Sequence, residues 1–110
     1  MTAGELLMQY VFLHNYGIEA ADFEPLMRIF DNNIIFEFED PRIGVFEGIE
    51  SVRRVFRLQP PSDAIVLGEI LDTGDKATAE YADDSNPEQR LGIISVDISA
   101  AKITRIFIGK

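Results

Sequence analysis

The chain has no cysteine, a single histidine, and ten Lys or Arg residues against nineteen Asp or Glu. Each scarcity removes a class of function. Without cysteine there is neither a disulfide framework nor thiolate chemistry. With His14 as the lone imidazole, a zinc site of ordinary make-up is not expected. The carboxylates lack the spacing of a calcium loop, so neither a metal nor a cofactor is expected. A net charge of -9 argues against nucleic acid as a partner, because phosphate backbones demand clustered Lys and Arg. Between Glu19 and Glu50 there are nine acids and only Arg28 and Arg42 as bases, a field that suits neutral or cationic ligands better than anionic ones. No stretch approaches the roughly 18 apolar residues of a membrane span. The opening MTAGELLMQY lacks the basic segment and apolar run of a signal peptide. No membrane partner is expected, and a soluble cytoplasmic protein is.

What is present is enough for one domain, residues 1–110, with a core that needs no staples. The central stretch is 34–48, IIFEFEDPRIGVFEG, in which apolar and acidic side chains alternate before an Asp-Pro break. Alternation puts Ile34, Phe36, Phe38 and Asp40 on one face and Ile35, Glu37 and Glu39 on the other. Asp40 thus ends an apolar row, either as a surface turn residue or as a desolvated general base. Before it, the period of Leu6, Leu7, Tyr10, Val11, Leu13 and His14 predicts a helix over 3–16. Gly17 is its expected stop, with an alternative course through Ile18 and Ala20. Asp22 reads as the N-cap of a short helix over 23–30, and Asp31-Asn32-Asn33 as a turn. Gly48 opens a helix over 49–57 with Ile49, Val52, Val55 and Phe56 on one side. Its Arg53, Arg54 and Arg57 read as a solvated face or an anion clamp.

After Pro60-Pro61 the period falls to 2, predicting strands over 64–71, 76–82, 91–98 and 102–108 that pair as an antiparallel meander. Helices first, a hairpin between them, then four strands gives an α+β domain with a curved sheet against helices. The later strands are apolar on both faces: Ile94, Val96 and Ile98 against Ile93, and Ile106 and Ile108 against Ile103 and Phe107. A covered outer face, most simply a homodimer, is the expectation. Small Ala77 and Ala79 leave room for a ligand or a helix, with Glu69 and Tyr81 nearby as further pocket candidates.

The order of these elements, with the tyrosine in the first helix, DFEPLMRIF, DNNIIFEFEDP, GVFEGIESVRRVF and KITRIFI, resembles the nuclear transport factor 2-like superfamily. Within it, the chain is similar to the ketosteroid isomerase and SnoaL-like polyketide cyclase branches. The resemblance implies a cone-shaped, cystatin-like fold: a curved, mostly antiparallel sheet packed against three helices from the N-terminal half. It also implies a pocket for a hydrophobic small molecule such as a ketone. By the same resemblance Asp40 of the EDP segment moves the proton, although an ungapped match places Phe38 there. The resemblance also makes Tyr10 the donor to the substrate oxygen, while His14, one turn away on the same helix flank, is placed to orient or share the proton. Phe36, Phe38, Tyr81, Glu69 and Ile94 are the expected substrate contacts, and Ile94 falls nearest to the place of that family's protonated acid. The alternative function is a non-catalytic binding or assembly module of the same fold.

Overall fold

The computed structural model describes residues Met1–Lys110. Its first helix, α1 (Ala3–Ala20), starts on a capping box. Thr2 Oγ1 accepts from the Glu5 N–H at 3.2 Å, and Glu5 Oε1 accepts from the Thr2 N–H at 2.9 Å. Two N–H groups that lack intrahelical partners are satisfied in this way. The helix takes the longer of its two expected courses and ends at Ala21 in the left-handed conformation. Gly17 is not its stop. It lies buried within α1, where a Cβ would collide with the ring of Phe23, so its missing side chain lets the next segment cross closely.

That segment, α2 (Glu24–Met27), is a single turn and not the longer helix expected over 23–30. Asp22 still shapes the entry, its Oδ1 accepting from the Glu24 N–H at 3.0 Å. The chain is already extended at Phe30, where β1 (Phe30–Phe38) begins. The expected turn at Asp31-Asn32-Asn33 therefore sits inside a strand. Asp31 Oδ2 accepts from the Asn33 N–H at 2.8 Å, and the pairing register slips between Phe30 and Ile35. Turn chemistry here makes a bulge. The chain turns through 39–44 into β2 (Val45–Glu47), and Gly48, at φ 88°, admits it to α3 (Ile49–Leu58). This helix buries Val52 and Phe56. On its other side Arg53 pairs with Glu24 at 3.0 Å and also with Glu50, tying α3 to α2.

The remaining strands, β3 (Ile65–Asp72), β4 (Lys76–Asp83), β5 (Arg90–Ser99) and β6 (Lys102–Gly109), pair antiparallel in succession. β6 then lies parallel to β1, giving one six-stranded sheet in the order β2-β1-β6-β5-β4-β3. The α+β architecture read from the sequence is therefore present: an open, curved, mostly antiparallel sheet with the helices on one side. Leu6, Leu7, Leu26, Ile34, Ile94 and Ile106 are among the side chains enclosed between the layers. No helix is long and apolar enough to cross a membrane.

Two more bulges overturn simple alternation. In β6, Ile103 faces Ile98 while Arg105 faces Asp97, so Thr104 is an extra residue and the phase of the strand changes there. Ile103, expected outside with Phe107, is fully buried beside Ile106. In β3 the register slips between Leu67 and Ile70. Glu69, expected on the pocket side, is consequently exposed and lies beside Leu71, Thr78 and Ile93. The outer face keeps Ile35, Ile93 and Phe107, each half-buried, together with the ion pairs Lys76–Asp97 at 3.5 Å and Arg105–Glu37.

Candidate functional site

α1, α3 and the inner face of β1, β2 and β6 line a partly open cavity of about 180 Å³. Its walls are mainly Phe36, Phe38, Phe46, Val55, Phe56 and Ile108. Alternation along β1 delivers Phe36 and Phe38 to this side, where their rings stack at 5.2 Å between centroids. Only Tyr10, His14 and Gln59 bring polar side chains to the wall.

Tyr10 projects from the buried stripe of α1 and is 2% exposed. Its ring lies 6.5 Å from that of Phe36, and its hydroxyl forms no hydrogen bond within the protein. No fully enclosed side-chain nitrogen or oxygen lacks a partner anywhere in the chain, so this unpaired hydroxyl is one that opens onto the cavity. Burial, with a smaller contribution from the neighbouring Tyr81 phenol, raises its pKa well above the usual value. It therefore keeps its proton and stays a donor.

His14 lies one turn further along α1, its ring 5.9 Å from that of Tyr10. Its Nδ1 is 2.9 Å from Asn15 Oδ1, while Nε2 has no protein partner. Burial lowers the imidazole pKa, opposed by the Asn15 contact, so the ring is neutral near pH 7. Asn15 is itself clamped to β3, its Nδ2 donating to the Ile65 carbonyl at 2.9 Å and its Oδ1 accepting from the Ile65 N–H at 3.0 Å.

Of the residues expected at the site, the structure brings together Tyr10, His14, Phe36 and Phe38. Asp40 stands apart. β1 ends at Phe38, so the alternation that would aim Asp40 inward has already stopped. Its carboxylate accepts from the Arg42 N–H at 2.9 Å and from Arg42 Nε and Nη2 at 3.0 and 2.8 Å. The side chain is 35% exposed, and these bonds from Arg42 hold its pKa below the usual carboxylate range. Asp40 and Tyr81 line a shallower hollow of about 480 Å³, and the cross-strand pair Phe38–Ile108 borders both spaces. Ile94 is a core residue between Ala79 and Ile108, not a wall of the cavity. Glu69 is on the outer face. Sequence reasoning missed Phe46, Gln59, Ile108 and Asn15. The apolar stripe of α3 signalled Val55 and Phe56 only as core, and nothing in the sequence distinguished Gln59 or Asn15. No group of three or more His, Asp or Glu side chains is gathered as a metal would require.

No family model matches the sequence, and no curated relative matches it. Solved structures do match in shape. A nuclear transport factor 2-like protein from Anabaena variabilis superposes with a TM-score of 0.73 at 14% identity, covering 96% of this chain and 87% of that one. A candidate ketosteroid isomerase from Kribbella flavida gives 0.66 at 14% identity, over 99% and 80% of the two chains. A candidate polyketide cyclase from Sinorhizobium meliloti gives 0.63 at 20% identity, over 91% and 93%. At these identities the likeness concerns the backbone alone: the chain has the nuclear transport factor 2-like fold.

Proposed function

We propose that the chain is a pocket protein for a small, apolar carbonyl compound, with proton-transfer chemistry of the isomerase or cyclase kind. The observation that carries this reading is the Tyr10 hydroxyl, a buried donor with no partner of its own on the wall of an otherwise aromatic cavity. Such a donor is satisfied by a ligand oxygen. The cavity, about 180 Å³, lies below the usual drug-site range of roughly 300–1,000 Å³ and a little above the ~150 Å³ that admits a benzene ring. The ligand is accordingly of one or two rings. The solved neighbours named as an isomerase and a cyclase lend the chemistry its class.

One observation favours the alternative, a ligand-binding module without turnover: no carboxylate lines the cavity. The reading also includes a homodimer through the outer sheet face.

The test uses 2-indanone, a flat bicyclic ketone with readily exchanged α-protons. Titration followed by the aromatic NMR signals is expected to shift the cavity rings. Tyr10→Phe weakens that binding by about five- to thirty-fold, the effect of leaving a carbonyl unpaired by roughly 1–2 kcal/mol. Equal binding by Tyr10→Phe, or no shift of cavity signals in the wild type, overturns the reading. Binding with no acceleration of α-proton exchange in D₂O selects the module.

A further inference from the structure

We propose that Asn15 is a positioning residue that fixes His14 as the Nδ1–H tautomer, so that Nε2 is the proton acceptor of the cavity. The inference rests on the carbonyl-pocket reading for its use, but its geometry stands without any ligand.

The chain of assignment begins at the backbone, where donors and acceptors are unambiguous. The Ile65 N–H can only donate, so the Asn15 atom 3.0 Å from it is the amide oxygen. The Ile65 carbonyl can only accept, so the atom 2.9 Å from it is the amide NH₂. A flipped amide would break both bonds at once, which removes the usual ambiguity of asparagine. The same oxygen lies 2.9 Å from His14 Nδ1. An amide oxygen only accepts, so Nδ1 carries the hydrogen. In a neutral imidazole the other nitrogen is then a bare lone pair. His14 is 6% exposed and on the cavity wall, and its Nε2 has no protein partner.

The arrangement defines a balanced step. The α-C–H bond of a bound ketone breaks, its proton forms a new N–H bond at Nε2, and the electron pair moves onto the ketone as an enolate. The enolate oxygen accepts from the Tyr10 hydroxyl. The imidazolium that results donates from Nδ1 to Asn15 throughout, so the ring needs no reorientation. Reprotonation of the enolate at its α-carbon, with a proton exchanged from solvent at Nε2, regenerates the ketone and leaves His14 neutral. Asp40, held by Arg42 outside the cavity, takes no part.

The tautomer is read directly from the ring nitrogen and carbon shifts of isotope-labelled protein near pH 7, with no ligand added. The expected spectrum shows one species, protonated at Nδ1. Asn15→Leu, which offers no acceptor, mixes the tautomers and slows α-proton exchange of 2-indanone by about tenfold or more, with affinity changed by less than about threefold. Asn15→Asp keeps the oxygen that accepts from Nδ1 and loses the donor to the Ile65 carbonyl, so it restores the Nδ1–H signal that Asn15→Leu loses. A wild-type ring protonated at Nε2 overturns the proposal, as does an Asn15→Leu spectrum identical to the wild type. Should Asn15→Leu not fold, the wild-type spectrum alone decides. Failure of the pocket reading shows separately, as absence of 2-indanone binding in a protein whose tautomer is as stated.

Discussion

Tyr10 sets a requirement of binding against one of stability. A phenol 2% exposed, with no hydrogen bond from the fold, leaves its hydroxyl to whatever occupies the cavity, so removing that oxygen breaks no bond within the protein. The ring itself packs well, within 6.3 Å of Phe30 and 6.5 Å of Phe36. Tyr10→Phe keeps that packing and deletes only the stranded oxygen. It is expected to unfold at the same or higher denaturant concentration, with a gain of up to about 1 kcal/mol. A purely structural tyrosine would lose stability instead, so a loss above about 1 kcal/mol in a urea melt would mean that the hydroxyl has a partner in the fold. Asp40 illustrates the opposite case. An acid that looks functional by its motif is consumed by its own turn, since Arg42 supplies a backbone N–H and a guanidinium to it within two residues.

At the scale of elements, the bulges decide which side chains meet. Ile103 and Phe107 are both apolar residues of one short strand, yet the extra residue at Thr104 sends the first into the core and leaves the second half-exposed on the far side. Ile103→Ala is therefore expected to lower the unfolding free energy by about 2–4 kcal/mol, the range for deleting an enclosed aliphatic side chain. Phe107→Ala should cost less than half of that in the same urea series, and comparable losses would place both on the inner side. The same contrast explains what was legible beforehand. α1, α3 and the meander announced themselves through periods of 3.6 and 2, which are properties of a single segment. A bulge depends on which partner strand each residue faces, as Thr104 shows against Asp97, and no count along one strand contains it. Phe36 and Phe38 were placed correctly because β1 is regular after Ile35. Asp40 and Glu69 were misplaced because alternation was carried past a strand end and across a register slip. Asn15 was invisible for a related reason: its partner, Ile65, is fifty residues away.

For the whole molecule, the proposed homodimer turns on the make-up of the outer sheet face. The core-side inversion of Ile103 reduces the apolar evidence there to Ile35, Ile93 and Phe107, with Leu71 at the margin. The face also carries both signs of charge in pairs, Lys76 with Asp97 and Arg105 with Glu37. Such a surface suits a two-fold partner. A chain of net charge -9 repels its own copy at long range, and a face bearing cations beside anions is where two copies approach with least penalty. In a two-fold pair every contact occurs twice, so a register that sets one cation of this face against an anion of the other chain gains that pair twice. Phe107 lies between these pairs, next in register to both Glu37 and Ser95. Light scattering at micromolar concentration is expected to give about twice the chain mass of 12.4 kDa. Phe107→Glu adds an acid beside Glu37 and removes the largest apolar side chain of the patch, so it should halve that mass while the cavity still binds 2-indanone. A wild-type protein that runs at the single-chain mass would mean that the outer face is simply solvated, with its ion pairs serving the sheet alone.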